Sequence, residues 1–95
     1  MSTYVFAYRI QGGDSGSPDA MAQWMAWFEE LGTAVVDAGN PVFARSTLGN
    51  CGTGSALGGY SIITADDLEA AVTLAKGCPA LATGGGVEVG ELAAM

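Results

Sequence analysis

Two arginines on predicted strands are the side chains of this chain that are best suited to hold a ligand. Arg9 and Arg45 are two of only three basic residues, the third being Lys76, and both lie among apolar residues. A guanidinium on a rigid strand can bind a carboxylate through two parallel N–H donors. Each arginine could instead pair with an acid such as Glu88 or extend to water at the end of the sheet. We favour these structural roles, because the end of a strand allows both.

Three tyrosines offer hydroxyl groups for the same kind of site. Tyr4 and Tyr8 alternate on the predicted first strand, and Tyr60 opens the predicted third strand. Both strands are central in the fold predicted below, so these hydroxyls could line an apolar pocket between rigid elements. An anion held by an arginine would complete such a pocket.

The predicted first helix carries an aromatic cluster and a misplaced carboxylate. Trp24, Trp27 and Phe28 have i, i+3, i+4 spacing, which suits either a platform for a planar ligand or a helix face packed on the core. We favour core packing, because such stripes are usually buried. Asp37 falls in the last helical turn, where its charge opposes the helix dipole. Its polar neighbours favour solvation over a functional role.

Other chemistry is poorly supplied. The chain has no histidine, and Cys51 and Cys78 form no C-x-x-C motif, so we expect no metal site and two idle thiols in a reducing compartment. The glycine-rich segments 52–58 and 84–86 precede strands instead of opening helices, which argues against a phosphate-binding loop. We expect no cofactor. An enzyme built from this chain would need Asp, Glu, Tyr or Cys with a shifted pKa as acid and base.

Four strands and two helices are predicted to position these residues. Apolar and β-branched runs predict strands over residues 3–10, 42–48, 60–65 and 87–92. Ser17-Pro18-Asp19 predicts the start of a first helix that runs to about Ala38, and Gly39 ends it. Residues 11–16 and 81–86 are predicted loops.

The second helix has the clearest start and stop signals. Asp66 is predicted to cap it, with Glu69 three residues later as in a capping box. Gly77 is predicted to take the left-handed conformation after the last turn, and Pro79 prevents continuation. The helix therefore spans roughly residues 66–76.

The element order is βαββαβ over a single domain, residues 1–95. This order predicts an α+β, ferredoxin-like fold with a four-stranded antiparallel sheet and two helices on one face. The first and third strands are apolar on both faces, so the open face of the sheet needs a cover. A second copy is the simplest one, and we expect a homodimer.

Charge and hydropathy exclude several kinds of partner. The net charge is −7, which disfavours nucleic acids and anionic membrane surfaces. The N-terminus lacks the features of a signal peptide, and no apolar run approaches the ~20 residues of a membrane span. We expect a cytoplasmic protein that binds neither nucleic acid nor membrane.

Three strings carry a family resemblance: WMAWFEELGTAVVDAGNP, GGYSIITADDLEAAVTLAKGCP and GGGVEV. Together they resemble the YCII-related domain family of the dimeric α-β barrel group, in the branch with tryptophans in the first helix. The resemblance implies a dimer with its sheets packed face to face. The family's Asp-Gly-Pro-Phe motif is absent, and so is the histidine of the His–Asp site in some members.

These observations lead to two functional hypotheses. The first is a homodimeric small-molecule-binding or accessory domain, and the alternative is a small enzyme for proton transfer or elimination on a small substrate, such as an aromatic one. We rank binding first, because no acid–base pair stands out. The site is expected where the open sheet face meets the partner or the end of the first helix. The candidate ligand-binding residues are Arg9, Arg45, Tyr4, Tyr8, Tyr60, Trp24 and Asp37.

Overall fold

The computed structural model describes residues 1–10, 18–52, 54–82 and 84–93. The predicted loop over residues 11–16 and the predicted helix cap at Ser17 lie outside these ranges. Four strands form one antiparallel sheet in the order β2-β3-β1-β4. The strands are β1 (Ser2–Ile10), β2 (Val35–Asp37), β3 (Ala56–Ala65) and β4 (Gly86–Glu91). The helices are α1 (Pro18–Leu31), α2 (Leu68–Ala75) and α3 (Pro79–Ala82).

The sheet is open, and helices pack on one of its faces. The central strands are β1 and β3, as the sequence predicted from the order of elements. This arrangement confirms the α+β, ferredoxin-like fold. No helix in the described part of the chain is long and apolar enough to cross a membrane.

The core lies between the sheet and the helices. Successive side chains of a strand point to opposite faces, and on β1 the buried set is Tyr4, Phe6 and Tyr8. Tyr4 pairs across the sheet with Ile63, and Phe6 pairs with Ser61, which are themselves fully buried. The even-numbered residues of β1 therefore face the helices, and the odd-numbered ones face away.

The aromatic stripe of α1 covers this core. Trp27 is 3% exposed, and its ring stacks on Phe6 at a centroid distance of 6.0 Å. Its indole N–H donates to the carbonyl of Leu74 at 3.3 Å, which ties α1 to the end of α2. Trp24 and Phe28 are half-buried and pack against the same cluster. The core-packing interpretation of the stripe is confirmed.

Helix α1 ends earlier than the sequence predicted, and the second strand lies elsewhere. The helix ends at Leu31, a 3-10 turn follows at Gly32–Ala34, and β2 begins at Val35. Gly32 has a φ of 57°, a conformation that stops a helix. The prediction of a strand over residues 42–48 is wrong. Pairing with β3 continues as an isolated bridge at Pro41, with bonds from the Val42 N–H to the Gly58 carbonyl and from the Tyr60 N–H to the Asn40 carbonyl.

The ends of α2 also differ from the prediction. The cap is Asp67, not Asp66: its carboxylate accepts from the Ala70 N–H at 2.8 Å. Gly77 does not take the left-handed conformation. A glycine suits this position because a Cβ there would lie 3.0 Å from the Trp27 indole nitrogen. The short helix α3 replaces the beginning of the predicted loop over residues 81–86.

Candidate functional site

The sheet face opposite the helices is built from alternate residues of the central strands. Val5 lies opposite Ile62, and Ala7 lies opposite Tyr60. All four are half-buried. Strand alternation puts Arg9 on the same face. This open face is therefore apolar at its centre and carries one cation from β1.

The Arg9 guanidinium is held by the chain segment that precedes β3. Its Nε donates to Ser55 Oγ at 3.2 Å, and its Nη2 donates to the carbonyls of Cys51 and Ser55 at 3.3 Å each. Among the described residues no carboxylate pairs with Arg9, and its Nη1 has no acceptor. The alternative pairing with Glu88 is not formed. Within the described ranges, the guanidinium thus has no carboxylate partner and keeps unused N–H donors.

Tyr60 places a hydroxyl on the open face. Its oxygen accepts a hydrogen bond from Asn40 Nδ2 at 3.2 Å. Its neighbour across the sheet is Ala7, and Arg9 follows two residues further along β1. In a regular ladder, diagonal neighbours lie about 7–8 Å apart, within reach of long side chains. Here the register of β1 and β3 shifts between Tyr8 and Arg9. The structure thus places Arg9 and Tyr60 on the same face of the sheet.

Asp37 has a role that the sequence did not predict. It lies at the end of β2, so the prediction that it opposes a helix dipole is wrong. Its carboxylate accepts from the Gly39 N–H at 2.8 Å, which closes the turn after β2. Gly39 has a φ of 79° and packs closely on the carbonyl of Tyr60. Asp37 therefore helps to hold this turn against β3.

Tyr4 and Tyr8 lie on the opposite face from Tyr60. Tyr4 is 1% exposed and Tyr8 is 5% exposed. The expectation that all three tyrosines line the open face is therefore wrong for these two, since strand alternation points them into the core. The ring of Trp24 meets Tyr8 at 4.7 Å. A ligand-binding role for Tyr4, Tyr8 or Trp24 stays a prediction.

Tyr8 belongs to a buried hydrogen-bond chain that sequence reasoning missed. Its hydroxyl donates to Ser61 Oγ at 2.7 Å, and Ser61 Oγ donates to the Ala38 carbonyl at 2.7 Å. A serine in an otherwise apolar strand is the sequence signal that could have revealed it. Asn40 was also missed, and no local signal distinguishes it.

Arg45 does not lie in a strand, contrary to the prediction. It is exposed in the segment after β2, and its Nη2 donates to the Val42 carbonyl at 2.8 Å. No contact of the described residues joins it to Arg9. Its proposed ligand contact stays a prediction, but the structure ties its side chain to its own loop.

Two buried groups have perturbed proton affinities. Burial raises the pKa of Tyr8, the hydrogen bond with Ser61 partly offsets this, and the nearby Cys78 adds to it. Burial also raises the pKa of the Cys78 thiol, against hydrogen bonds from the backbone of Ala80 and Leu81. Both groups carry their proton at neutral pH and cannot serve as bases there. Within the described ranges, no three His, Cys, Asp or Glu residues are grouped to hold a metal ion.

Two shallow clefts open on the helical side of the molecule. One, of about 410 Å³, lies between α1 and the end of α2. The other, of about 590 Å³, lies beside the start of the chain and α2. Neither is lined by any of the seven candidate residues; their polar and charged lining is Gln23, Glu30 and Lys76 in the first and Thr33, Thr64, Asp66 and Thr73 in the second.

A family model described as the YCII-related domain matches residues 1–93, almost the whole chain. No curated protein matches the sequence. The match spans both central strands, so it includes the open face as well as the helical layer.

Proposed function

We propose that this chain, which belongs to the YCII-related domain family, is a homodimeric protein that binds a small anionic molecule on the open face of its sheet. The observation that carries the proposal is the state of Arg9. Its guanidinium lies on an apolar face, loop acceptors fix it in place, and no carboxylate of the described residues neutralises it. A cation in such surroundings gains most from a charge-assisted hydrogen bond to an anion.

A second copy of the chain is the partner that suits this face. A 95-residue chain buries only roughly 60–65% of its unfolded surface, so an additional apolar contact contributes much to its stability. Covering Val5 and Ile62 would also reduce the access of water to Arg9. Charge interactions strengthen when water is excluded, so dimerisation and anion binding support each other.

Binding is favoured over proton-transfer catalysis. The two buried groups with shifted pKa values, Tyr8 and Cys78, hold their protons at neutral pH. Asp37, the carboxylate that the sequence singled out, is exposed and occupied by the Gly39 N–H. A general base needs a pKa near the working pH and access to the substrate, and neither Tyr8 nor Cys78 meets both needs.

The dimer is tested by light scattering after gel filtration at micromolar concentration. We expect twice the chain mass of 9.5 kDa. Ile62→Glu places a charge on the open face and should give the single-chain mass. Val72→Glu is the matched control, because Val72 is 38% exposed on α2; this variant should remain dimeric. A wild-type protein with the mass of one chain would refute the dimer.

Anion binding is tested by an NMR chemical-shift titration with benzoate, with benzamide as its neutral counterpart. We expect shifts on the open face with benzoate only, and at least about tenfold weaker binding in Arg9→Met, from the loss of a charge-assisted hydrogen bond. Lys76→Met is the control, because it makes the same charge change on the helical side. Arg45→Met is expected to behave like this control. Full benzoate affinity in Arg9→Met would refute the site.

A further inference from the structure

We infer that the anion site selects a monocarboxylate, with Tyr60 as its second hydrogen-bond donor, Asn40 as the positioning residue for Tyr60, and Ala7 as the floor beneath the ligand. This inference rests on the anion binding proposed above and specifies its ligand class. It follows from the directions of hydrogen bonds on the open face and from the sizes and charges of the residues around Arg9.

The direction of the Asn40–Tyr60 hydrogen bond leaves the tyrosine proton unused. A phenol has one O–H donor and can also accept, whereas an amide NH₂ only donates. Asn40 Nδ2 donates to the Tyr60 oxygen at 3.2 Å, so the Tyr60 proton must point elsewhere. No acceptor among the described residues takes it. With respect to the described residues, Tyr60 and Arg9 Nη1 thus present unsatisfied donors on one face, a combination that suits the oxygens of an anion.

Contacts before and at Asn40 fix its position. The Ser61 hydroxyl donates to the Ala38 carbonyl at 2.7 Å, and the Asp37 carboxylate accepts from the Gly39 N–H at 2.8 Å. The Asn40 carbonyl itself accepts from the Tyr60 N–H at 3.4 Å. The turn is therefore bonded to β3 at Ala38 and at Asn40. These bonds place the side-chain amide of Asn40 beside the Tyr60 hydroxyl.

Small residues leave room for the ligand between these donors. Ala7 lies opposite Tyr60 on one side and Glu88 on the other, and Gly86 lies opposite Arg9. The short side chain of Ala7 leaves space between the longer side chains of Tyr60 and Glu88. A carboxylate bound to Arg9 and Tyr60 would place the apolar body of its molecule over this floor.

Glu88 sets the charge limit of the site. It projects from β4 next to Ala7 and forms no ion pair within the described part of the chain. Both carboxylates of a dianionic ligand would lie on the face that carries this negative charge, and the second would add repulsion without adding a contact to Arg9. A ligand with one negative charge, whose remaining groups are apolar or hydrogen-bond donors, avoids this repulsion.

The test compares benzoate with terephthalate, which carries a second carboxylate, in NMR titrations up to ~10 mM, sufficient for a Kd near 1 mM. We expect terephthalate to bind about tenfold more weakly than benzoate. Glu88→Gln should remove that difference. Glu91→Gln should not, because Glu91 pairs with Tyr4 and lies on the other face.

The donor role is tested with Tyr60→Phe, which should weaken benzoate binding by about tenfold. Thr64→Val is the control, since it deletes another hydroxyl from the same face of β3. Asn40→Leu should weaken benzoate binding in the native background but have no effect in the Tyr60→Phe background, which separates positioning from general destabilisation. Ala7→Leu should fill the floor and abolish binding.

The outcomes separate the two proposals. If benzoate shows no binding that depends on Arg9, the proposed anion binding is refuted and the inference with it. If benzoate binds through Arg9 but Tyr60→Phe retains full affinity, or terephthalate binds as tightly as benzoate, the inference is overturned while anion binding stands.

Discussion

Replacing Ser61 with alanine tests the buried hydrogen-bond chain of the core. Ser61 is 0% exposed, accepts from the Tyr8 hydroxyl and donates to the Ala38 carbonyl. In the variant the Tyr8 hydroxyl stays buried without its acceptor, which costs about 1–3 kcal/mol. The Ala38 carbonyl loses its donor in the same variant. We expect the free energy of unfolding to fall by about 2 kcal/mol.

The companion variant Tyr8→Phe should cost less. It removes the donor but leaves the Ser61 proton bonded to the Ala38 carbonyl, so no buried hydrogen remains unsatisfied. We expect a loss of about 1 kcal/mol. The double variant should lose less stability than the sum of the two single variants. Without Ser61 the Tyr8 hydroxyl is buried and unpaired, so its removal no longer breaks a hydrogen bond.

Urea unfolding at one fixed protein concentration measures these differences, since dimerisation would otherwise shift the apparent stability. For a domain of this size, a loss of about 2 kcal/mol corresponds to a fall in Tm of roughly 8–16 °C. The reasoning is refuted if Ser61→Ala stays within about 0.5 kcal/mol of the native protein, the usual range of neutral surface changes, or if the effects of the two single variants are additive.

Three further outcomes are expected. Gly39→Ala should lower the free energy of unfolding by more than about 2 kcal/mol, because φ is 79° and a Cβ would overlap a β3 carbonyl. Gly49→Ala should lower it by only about 1 kcal/mol, because φ is 70° but the space around it is open. Equal losses in the two variants would contradict this. Ellman's reagent should label exposed Cys51 quickly and buried Cys78 only on unfolding; rapid labelling of both would contradict the burial. Burial raises the pKa of Cys78 above 9.0 and that of Tyr8 above 10.0. The free energy of unfolding should therefore fall as the pH rises past about 9, because the unfolded chain loses these protons first. A stability that stays constant at alkaline pH would contradict this.

The sequence predicts the central elements well, because their signals are local. The β-branched and aromatic residues of β1 and β3 identify both strands, although β3 begins at Ala56 and not at the predicted Tyr60. The start and stop signals identify α2. The end of α1 was missed because Val35 continues the helical spacing of Trp24 and Leu31. Gly32 overrides that pattern with its left-handed conformation, and the β-branched pair at 35–36 then forms β2.

The candidate site was predictable only in part. Alternation along β1 separates Arg9 from Tyr4 and Tyr8, but it does not reveal which set the helices cover. Both sets are largely apolar, so composition gives no preference. The contacts of Asn40 with Tyr60 and of Ser61 with Ala38 join residues that are 20 and 23 positions apart. Such pairings depend on the register between the second and third strands. That register could not be predicted, because the second strand was placed at the wrong residues.

The two edges of the sheet limit how copies of this chain can aggregate. β2 is only three residues long and is bulged between Val35 and Asp37, and the bridge that follows uses Pro41, which has no N–H to offer. The other edge, β4, carries Glu88 and Glu91. Short, irregular or charged edges resist the addition of strands from another molecule. We therefore expect slow fibril growth from the native state, and contacts between copies that use the faces of the sheet instead of its edges.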